Sequence, residues 1–268
     1  MEMNIIIITI ISYVIAFKIL PYSVELISSE AFMKKNWLGD SVPTIAGIIF
    51  PLILSTTMLM YQFFYKDSML IVYLFAIYGI ALLGLLDDTL GNSMQKGLKQ
   101  HFKLLFVKRK LSTGVIKAVC TSIISAWVVI NIATTKSEMI INWFLLILSV
   151  NLINLLDLRP GRALKGTVVL LLVPIIMQVR GMVLIFSTLG IIFAYAPYDL
   201  KGQTMLGDVG SNTLGMIVGL MLIETSFITR IICFFTFVML QIIAEKYSFS
   251  DLIEHSVLLK KIDRLGQV

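Results

Sequence analysis

Charge is the scarcest feature of this sequence. Asp, Glu, Lys and Arg make up only 14% of its 268 residues, whereas soluble domains carry about 25%. Hydrophobic residues account for 58%, and the mean hydropathy is +0.93. This shortage of charge excludes an ordinary soluble domain and predicts a polytopic membrane protein.

Cysteine and histidine are also rare, with two of each. Cys120 and Cys233 lie inside apolar runs, which excludes a disulfide framework and zinc-ligand spacing. No small-residue cleavage site follows the first apolar stretch, so we expect residues 4–20 to form a retained helix. No repeat or long linker divides the chain. We therefore predict one integral-membrane domain over residues 1–268, with an amphipathic cytoplasmic tail at 246–268.

Long apolar runs dominate what is present. A membrane-spanning helix needs about 20 mostly apolar residues, and on that criterion we predict an all-α bundle of about nine transmembrane helices. The predicted spans lie near 4–20, 43–63, 69–86, 114–133, 139–156, 166–179, 182–197, 210–226 and 228–245. The sequence thus predicts a multi-pass protein of the cell membrane.

The basic residues are distributed unevenly between the two sides of these spans. All but four of the 22 lysines and arginines fall on the side that holds the C-terminal tail. By the positive-inside rule the N-terminus is outside and the tail is cytoplasmic. The basic face either sets topology and binds anionic lipid, or also attracts an anionic substrate. Nucleic acid is disfavoured as a partner, because no aromatic-interleaved basic module accompanies the charge.

Two adjacent carboxylates, Asp87 and Asp88, end the third predicted span in the segment LLGLLDD. They repel each other, and the C-terminus of a helix disfavours anions. A divalent cation, a lysine or both would compensate for them. The alternative is a solvated acidic pair that only ends the helix.

A second polar cluster follows the fifth predicted span in NLINLLDLRPGRALKG. Asn151, Asn154 and Asp157 are spaced three residues apart and lie along one side of a helix. Amide and carboxylate oxygens are hard ligands that suit Mg²⁺, and the basic residues after them suit phosphates. Those basic residues are Arg159, Arg162 and Lys165. The alternative is a network of hydrogen bonds between helices beside a loop that sets topology.

The third cluster is MLGDVGSNTLG, residues 205–215, where Asp208 stands between two glycines at the start of the eighth span. Glycine lets a backbone approach a ligand closely, and a helix N-terminus favours an anion or a capping carboxylate. A plain N-cap is the alternative. All three clusters are predicted on the cytoplasmic side, and together they indicate phosphate chemistry at the bilayer surface.

Four segments carry a family resemblance. They are PTIAG at 43–47, LLDD at 85–88, NLINLLD at 151–157 and LGDVGSNTLG at 206–215. Their order and spacing over residues 40–220 resemble those of the polyprenyl-phosphate N-acetylhexosamine-1-phosphate transferases, glycosyltransferase family 4. The resemblance implies a phosphotransferase for substituted phosphate groups. Polyprenyl phosphate would attack the sugar-linked phosphate of a UDP-sugar, release UMP and serve cell-envelope glycan synthesis.

The resemblance also implies residue roles. Asp208 and Asn154 are expected to bind Mg²⁺ or Mn²⁺, and Asp87 and Asp88 to lie near the attacking phosphate. Asn151 and Asp157 would orient the metal ligands and the nucleotide. The basic residues assigned to the substrates or their diphosphate are Lys96, His101, Lys103, Arg159, Arg162 and Lys165. For His101 an ordinary surface position is an equal alternative.

This sequence departs from the family pattern at several positions. Gly91 stands where the Asp-Asp-x-x-Lys pattern has its lysine, with Lys96 as the candidate replacement. Met205 stands where several members place an aromatic against uracil. The histidine-rich loop of many members is missing. Three other functions are therefore weighed: an inactive family member that acts as a membrane scaffold, a lipid or solute transporter, and a CDP-alcohol phosphotransferase. A homodimer is left open.

The C-terminal residues 248–268 place leucine, isoleucine and valine at helical spacing. This pattern predicts an amphipathic helix on the cytoplasmic surface, with packing against the protein's own loops as an equal alternative. Residues 21–40 are predicted to form a similar interfacial piece, with Trp37 at headgroup depth.

Overall fold

The computed structural model describes residues 5–29, 32–91 and 112–267. Within these ranges the chain is almost entirely helical. The helices are α1 (Ile5–Ile27), α2 (Ile49–Phe64), α3 (Ser68–Leu90), α4 (Thr113–Ile132), α5 (Lys136–Leu156), α6 (Arg162–Ile176), α7 (Met182–Leu200), α8 (Gly207–Ile223), α9 (Phe227–Lys246), α10 (Phe249–His255) and α11 (Val257–Arg264). A 3-10 turn, Ala46–Ile48, leads into α2.

Seven of the helices in the described ranges are long and apolar enough to cross a membrane. They are α1, α2 with its 3-10 turn, α3, α4, α5, α7 and α9. The other two predicted spans correspond to the shorter helices α6 and α8, with 15 and 17 residues. The protein is thus a multi-pass helical membrane protein, while the total of nine crossings and the orientation of the termini stay predictions.

Helix α8 lies at the centre of the bundle. Every residue from Val209 to Ile223 is buried, as expected for a helix that is apolar on all sides. Its largest contacts are with α3 and α5, and α6 also packs against it. Gly215 and Gly219 face the α5 backbone near Val150 and Leu146, because small residues allow close helix approach. The first turn of α8 is therefore surrounded by the ends of other helices.

The segment before α2 is a short hairpin, which corrects the prediction of one interfacial piece over residues 21–40. Helix α1 continues to Ile27, and strands β1 (Met33–Lys35) and β2 (Ser41–Pro43) then pair antiparallel, with Lys34 opposite Val42. Paired strands of this kind need only a tight turn between them. The hairpin lies against the entry to α8, because the Met205 amide donates to the Pro43 carbonyl at 2.8 Å.

The end of the bundle opposite the start of α8 has its own polar network. Glu224, after α8, accepts hydrogen bonds from the Tyr73 hydroxyl and from the Gly181 amide. Arg230 donates to Glu138 at 3.2 Å and to Asn142 at 3.1 Å. These bonds link α3, α5, α8 and α9, so hydrogen bonds and an ion pair stabilise this end of the bundle.

Candidate active site

The start of α8 is built by contacts between sequence motifs that are far apart in the chain. Gly207 has φ +70°, a left-handed conformation that glycine adopts without strain. The Gly47 amide donates to the Leu206 carbonyl at 3.0 Å, which joins PTIAG to LGDVGS. A Cβ atom on Gly84 of α3 would overlap with the Asp208 backbone. These close approaches place Asp208 beside the last turn of α3.

That last turn of α3 carries Asp87 and Asp88, whose side chains have different partners. The Asp88 carboxylate accepts a hydrogen bond from the Val209 amide at 3.0 Å. It therefore caps α8 from a neighbouring helix, where an anion is favoured by the helix dipole. Lys34 of β1 donates to the Asp88 carbonyl at 3.0 Å. The hairpin thus supplies a cation near the acidic pair.

Asp87 pairs with a lysine that the sequence motifs did not indicate. The Lys117 ammonium on α4 lies 2.9 Å from the Asp87 carboxylate and also contacts the Asp208 carboxylate. It therefore bridges two acidic residues that belong to different helices. The side chains of Asp87, Lys117 and Asp208 are 19%, 23% and 28% exposed. The group can thus be reached from outside the bundle.

Asn154, from the last turn of α5, completes this cluster. Its amide nitrogen donates to the Asp208 carboxylate at 2.9 Å and to the Ser211 hydroxyl at 3.1 Å. We call Asp87, Asp88, Lys117, Asn154 and Asp208 the acidic cluster. Its members come from α3, α4, α5 and α8, so only the folded bundle assembles it.

Asn151 makes a different contact, although it lies one turn from Asn154. Its amide nitrogen donates to the Gln241 side chain on α9 at 3.0 Å. Gln241 in turn donates to the Leu148 carbonyl at 3.1 Å. These bonds join α5 to α9. For Asn151 the structure therefore shows the hydrogen-bond network between helices that was the alternative to a substrate role.

Asp157 follows α5 and lines a cavity next to the acidic cluster. The cavity is lined by Asn36, Trp37, Asp157, Leu158, Arg159, Pro160, Asp199, Gly202, Thr204, Met205 and Leu206. Burial raises the pKa of the Asp157 carboxyl well above its usual range, and the nearby acids Asp199, Asp208 and Asp88 raise that pKa further.

Arg159 also lines this cavity, and its guanidinium lies 5.1 Å from the centroid of the Trp37 ring. That distance is within cation–π range. The indole comes from the hairpin and the guanidinium from the loop after α5. Together they form one wall of the cavity.

The other two predicted basic residues, Arg162 and Lys165 in the first turn of α6, bind the C-terminal helices. Arg162 makes a buried two-bond ion pair with Asp263, at 2.6 and 2.8 Å, and donates to the Ser250 hydroxyl. Lys165 donates to the backbone carbonyls of Ile262 and Asp263. The structure therefore does not bring Arg162 or Lys165 to the acidic cluster, and their predicted substrate role stays untested.

Three predicted substrate-binding residues lie outside the described residues. They are Lys96, His101 and Lys103, all within 92–111. The replacement of the missing motif lysine by Lys96 therefore remains a prediction. Lys117 supplies a lysine to the acidic pair within the described part of the chain.

The acidic cluster offers ligands that a magnesium ion accepts, namely carboxylate oxygens from α3 and α8. Mg²⁺ commonly binds one or two carboxylates together with substrate phosphates. Among the described residues there is no group of three or more acidic, histidine or cysteine side chains arranged around one ion. Asn154 faces Asp208 with its nitrogen, whereas a metal ligand must present the carbonyl oxygen. The described side chains alone therefore do not enclose an ion, and an ion bound here would need substrate phosphates among its ligands.

Lys117 is the residue of this cluster that motif reasoning missed. It lies in the second turn of an otherwise apolar helix, in TGVIKAVC. Ionisable residues at membrane depth are costly and usually functional. That isolated charge was the available signal, but only the packing of α4 against α3 shows which acids it meets.

The helices and the acidic cluster define a multi-pass membrane protein with a charged, partly exposed site at one end of its bundle. The profile of glycosyl transferase family 4 matches residues 70–226, which is more than half of the chain. The chain belongs to this family, the polyprenyl-phosphate hexosamine-1-phosphate transferase superfamily that the motifs resemble. The matched range contains the whole acidic cluster. No curated protein matches the chain significantly.

Proposed function

We propose that the protein transfers a sugar-1-phosphate from a UDP-sugar to a polyprenyl phosphate at the cytoplasmic face of the cell membrane. An oxygen of the lipid phosphate bonds to the sugar-linked phosphorus, the bond from that phosphorus to the UMP oxygen breaks, and UMP leaves. The observation that carries the proposal is Lys117 held between Asp87 and Asp208 at a partly exposed end of the bundle. Family membership supports the transferase class.

The charge of the acidic cluster supports a divalent cation as cofactor. The cluster holds three carboxylates and one ammonium, so phosphates approaching it would be repelled. Asp208, with Asn154 turned to present its oxygen, would hold Mg²⁺ or Mn²⁺. The ion would neutralise the negative charge that develops on the diphosphate.

The remaining members of the cluster have positioning roles in this proposal. Lys117 neutralises Asp87 and orients the Asp208 carboxylate, because one ammonium contacts both. Asp88 keeps α8 in place through its bond to the Val209 amide. A lipid phosphate is largely dianionic at neutral pH and needs no strong base. Asp87 and Asp88 therefore act by position and charge.

The cavity beside the cluster supports a site for the donor nucleotide. It combines an indole, a guanidinium and the carboxyl of Asp157. An aromatic ring offers a stacking surface, and an arginine fork suits phosphate oxygens. We assign Asp157 and Arg159 to the UDP-sugar. Lys96, His101 and Lys103 stay candidates for the phosphates.

The lipid acceptor is expected to reach the cluster from the bilayer. Asp87 and Asp88 lie at the end of the span α3, and Lys117 lies near the start of the span α4. A phosphate at headgroup depth can thus meet the cluster while its polyprenyl chain stays in lipid. This placement needs no mid-membrane charge, in contrast to a transporter.

The test uses purified full-length protein with Mg²⁺, undecaprenyl phosphate and a panel of UDP-sugars. We expect UMP release with at least one UDP-N-acetylhexosamine, together with a lipid-linked sugar diphosphate in the mass spectrum. The Asp208→Asn variant is the negative control. If no UDP-sugar yields UMP, the enzymatic proposal is wrong and a scaffold role is favoured.

A further inference from the structure

Helix α11 has two chemically different faces. Leu258, Ile262 and Leu265, on or just after the helix, are 68%, 49% and 69% exposed. Their spacing of four and three residues puts them on one side of the helix. By the same spacing rule Lys260 and Arg264 occupy the opposite side, while Lys261 lies at the edge of the apolar row, three residues after Leu258 and four before Leu265. A row of exposed apolar side chains needs a partner that removes it from water.

The polar edge of α11 already has its partner within the bundle. Asp263 is buried against Arg162, and Lys165 holds the Ile262 and Asp263 carbonyls. The Gln267 side chain donates to the Pro160 carbonyl at 2.7 Å. These bonds fix how α11 is rotated, so its apolar row faces away from the groups that anchor it.

The position of α11 in the chain indicates what covers that row. Helix α10 begins at Phe249, three residues after the membrane span α9 ends at Lys246. The loop that contains Pro160, which contacts Gln267 just after α11, follows directly from another span, α5. Helix α11 is therefore anchored at the boundary of the membrane. A helix whose apolar row is accompanied by the basic residues Lys260, Lys261 and Arg264 at such a boundary favours an anionic bilayer surface.

We propose that the apolar row of α11 (Leu258, Ile262 and Leu265) docks on the anionic surface of the same membrane that the spans cross. The docked helix then supports the loop from Asp157 to Gly161 through the Arg162–Asp263 pair. That loop is also held from within, because the Gly161 amide donates to the Asp199 carboxylate at 2.7 Å. Lipid contact thus stabilises the loop that carries Asp157. The proposal does not depend on the transferase activity.

The first test measures the depth of α11 in nanodiscs that contain phosphatidylglycerol. Single cysteines replace Leu258, or the exposed Arg264 as the matched control, in a Cys120→Ala, Cys233→Ala background and carry an environment-sensitive fluorophore. Headgroup-attached nitroxide lipid should quench the probe at Leu258→Cys roughly twofold or more above the probe at Arg264→Cys, since only the apolar face enters the interface. Equal quenching at both positions would overturn the proposal.

A second measurement separates a lipid surface from a second copy of the chain. In nanodiscs that hold one copy, quenching at Leu258→Cys should persist, and it should weaken when phosphatidylcholine replaces phosphatidylglycerol. Quenching that disappears in single-copy discs, with Leu258→Cys crosslinks between copies in larger discs, would assign the row to a dimer interface and overturn the lipid assignment.

The effect on the loop is read by amide hydrogen exchange, without any substrate. Leu258→Glu should accelerate exchange at Gly161, while Arg264→Gln, on the opposite side of the helix, should leave it unchanged. Both positions are exposed, so neither change disturbs a buried contact. Unchanged exchange in Leu258→Glu would contradict the coupling between the lipid contact and the loop.

Discussion

The two ends of the bundle both carry ionisable groups inside an apolar protein, but the groups are arranged differently. At one end Arg230 and Glu224 have a full set of partners, including Glu138, Asn142, Tyr73 and the Gly181 amide. At the other end the Lys117 ammonium contacts the Asp87 and Asp208 carboxylates, while the Asp88 carboxylate accepts from the Val209 amide. The first arrangement gives each charged group several bonded partners, whereas the second gathers three carboxylates near two lysines, Lys117 and Lys34, so negative charge is in excess there among the described residues.

This difference separates structural from functional polar groups. Placing a charged side chain inside a membrane protein costs free energy. Such a side chain is therefore usually either paired with a close partner or required for function. The network around Arg230 uses its charges to join helices. The acidic cluster leaves room for additional positive charge and for phosphates, which is what a phosphoryl-transfer site requires.

The largest effect is expected at Asp208. Asp208→Asn keeps the shape of the side chain and removes the charge that would hold the metal. Turnover should fall by about 10³-fold, the upper range for loss of one electrostatic contact in a site. UMP release and the melting temperature are measured on the same preparation. Near-normal turnover in this variant would show that Asp208 holds no essential metal.

Lys117 should rank next. In Lys117→Met the Asp87 and Asp208 carboxylates face each other without their shared cation, and turnover should fall about 10²-fold. Lys117→Arg retains the charge and should recover part of the loss. If both variants behave alike, the ammonium matters for reasons other than its charge.

Arg230→Gln tests the opposite end. It removes the ion pair with Glu138 and weakens the bonds that join α5 to α9, so the protein should lose about 1–3 kcal/mol of unfolding free energy. Thermal unfolding in nanodiscs measures the change, and turnover per folded molecule should stay at the wild-type level. A loss of turnover larger than the loss of folded protein would contradict the contrast between the two ends.

The smallest effect is expected for Tyr73→Phe. This change deletes one hydroxyl that donates to Glu224, while the Gly181 amide still does so. We expect a loss of about 1 kcal/mol, a typical net value for one hydrogen bond. The melting temperature should fall less than in Arg230→Gln; a larger fall would place the main support of this end at Glu224.

Much of the acidic cluster could be predicted from local patterns. Asp87, Asp88, Asn154 and Asp208 each interrupt an apolar run at a helix end, and the alternation of spans puts those ends on one side. The helices themselves follow from apolar runs of the required length. Locations of nine helices were predicted this way, while boundaries such as the end of α1 at Ile27 were not.

Other features depend on packing that no local pattern encodes. Lys117 and Asp87 lie thirty residues apart in the sequence, and only the contact of α4 with α3 joins them. Arg162 and Lys165 were predicted to bind substrate, and the sequence does not reveal that the Asp263 carboxylate pairs with Arg162 while Lys165 contacts the Ile262 and Asp263 carbonyls. The hairpin was also missed, since strands of three residues leave little periodicity to detect.

The central claim is that the uncompensated charge of the acidic cluster receives a divalent cation. The most direct measurement is a Mn²⁺ titration, followed by electron paramagnetic resonance, of the wild type, Asp208→Asn and Arg230→Gln in the presence of UDP. We predict one bound ion per chain in the wild type and in Arg230→Gln, and loss of that ion in Asp208→Asn. Equal Mn²⁺ binding by Asp208→Asn and the wild type would contradict the claim.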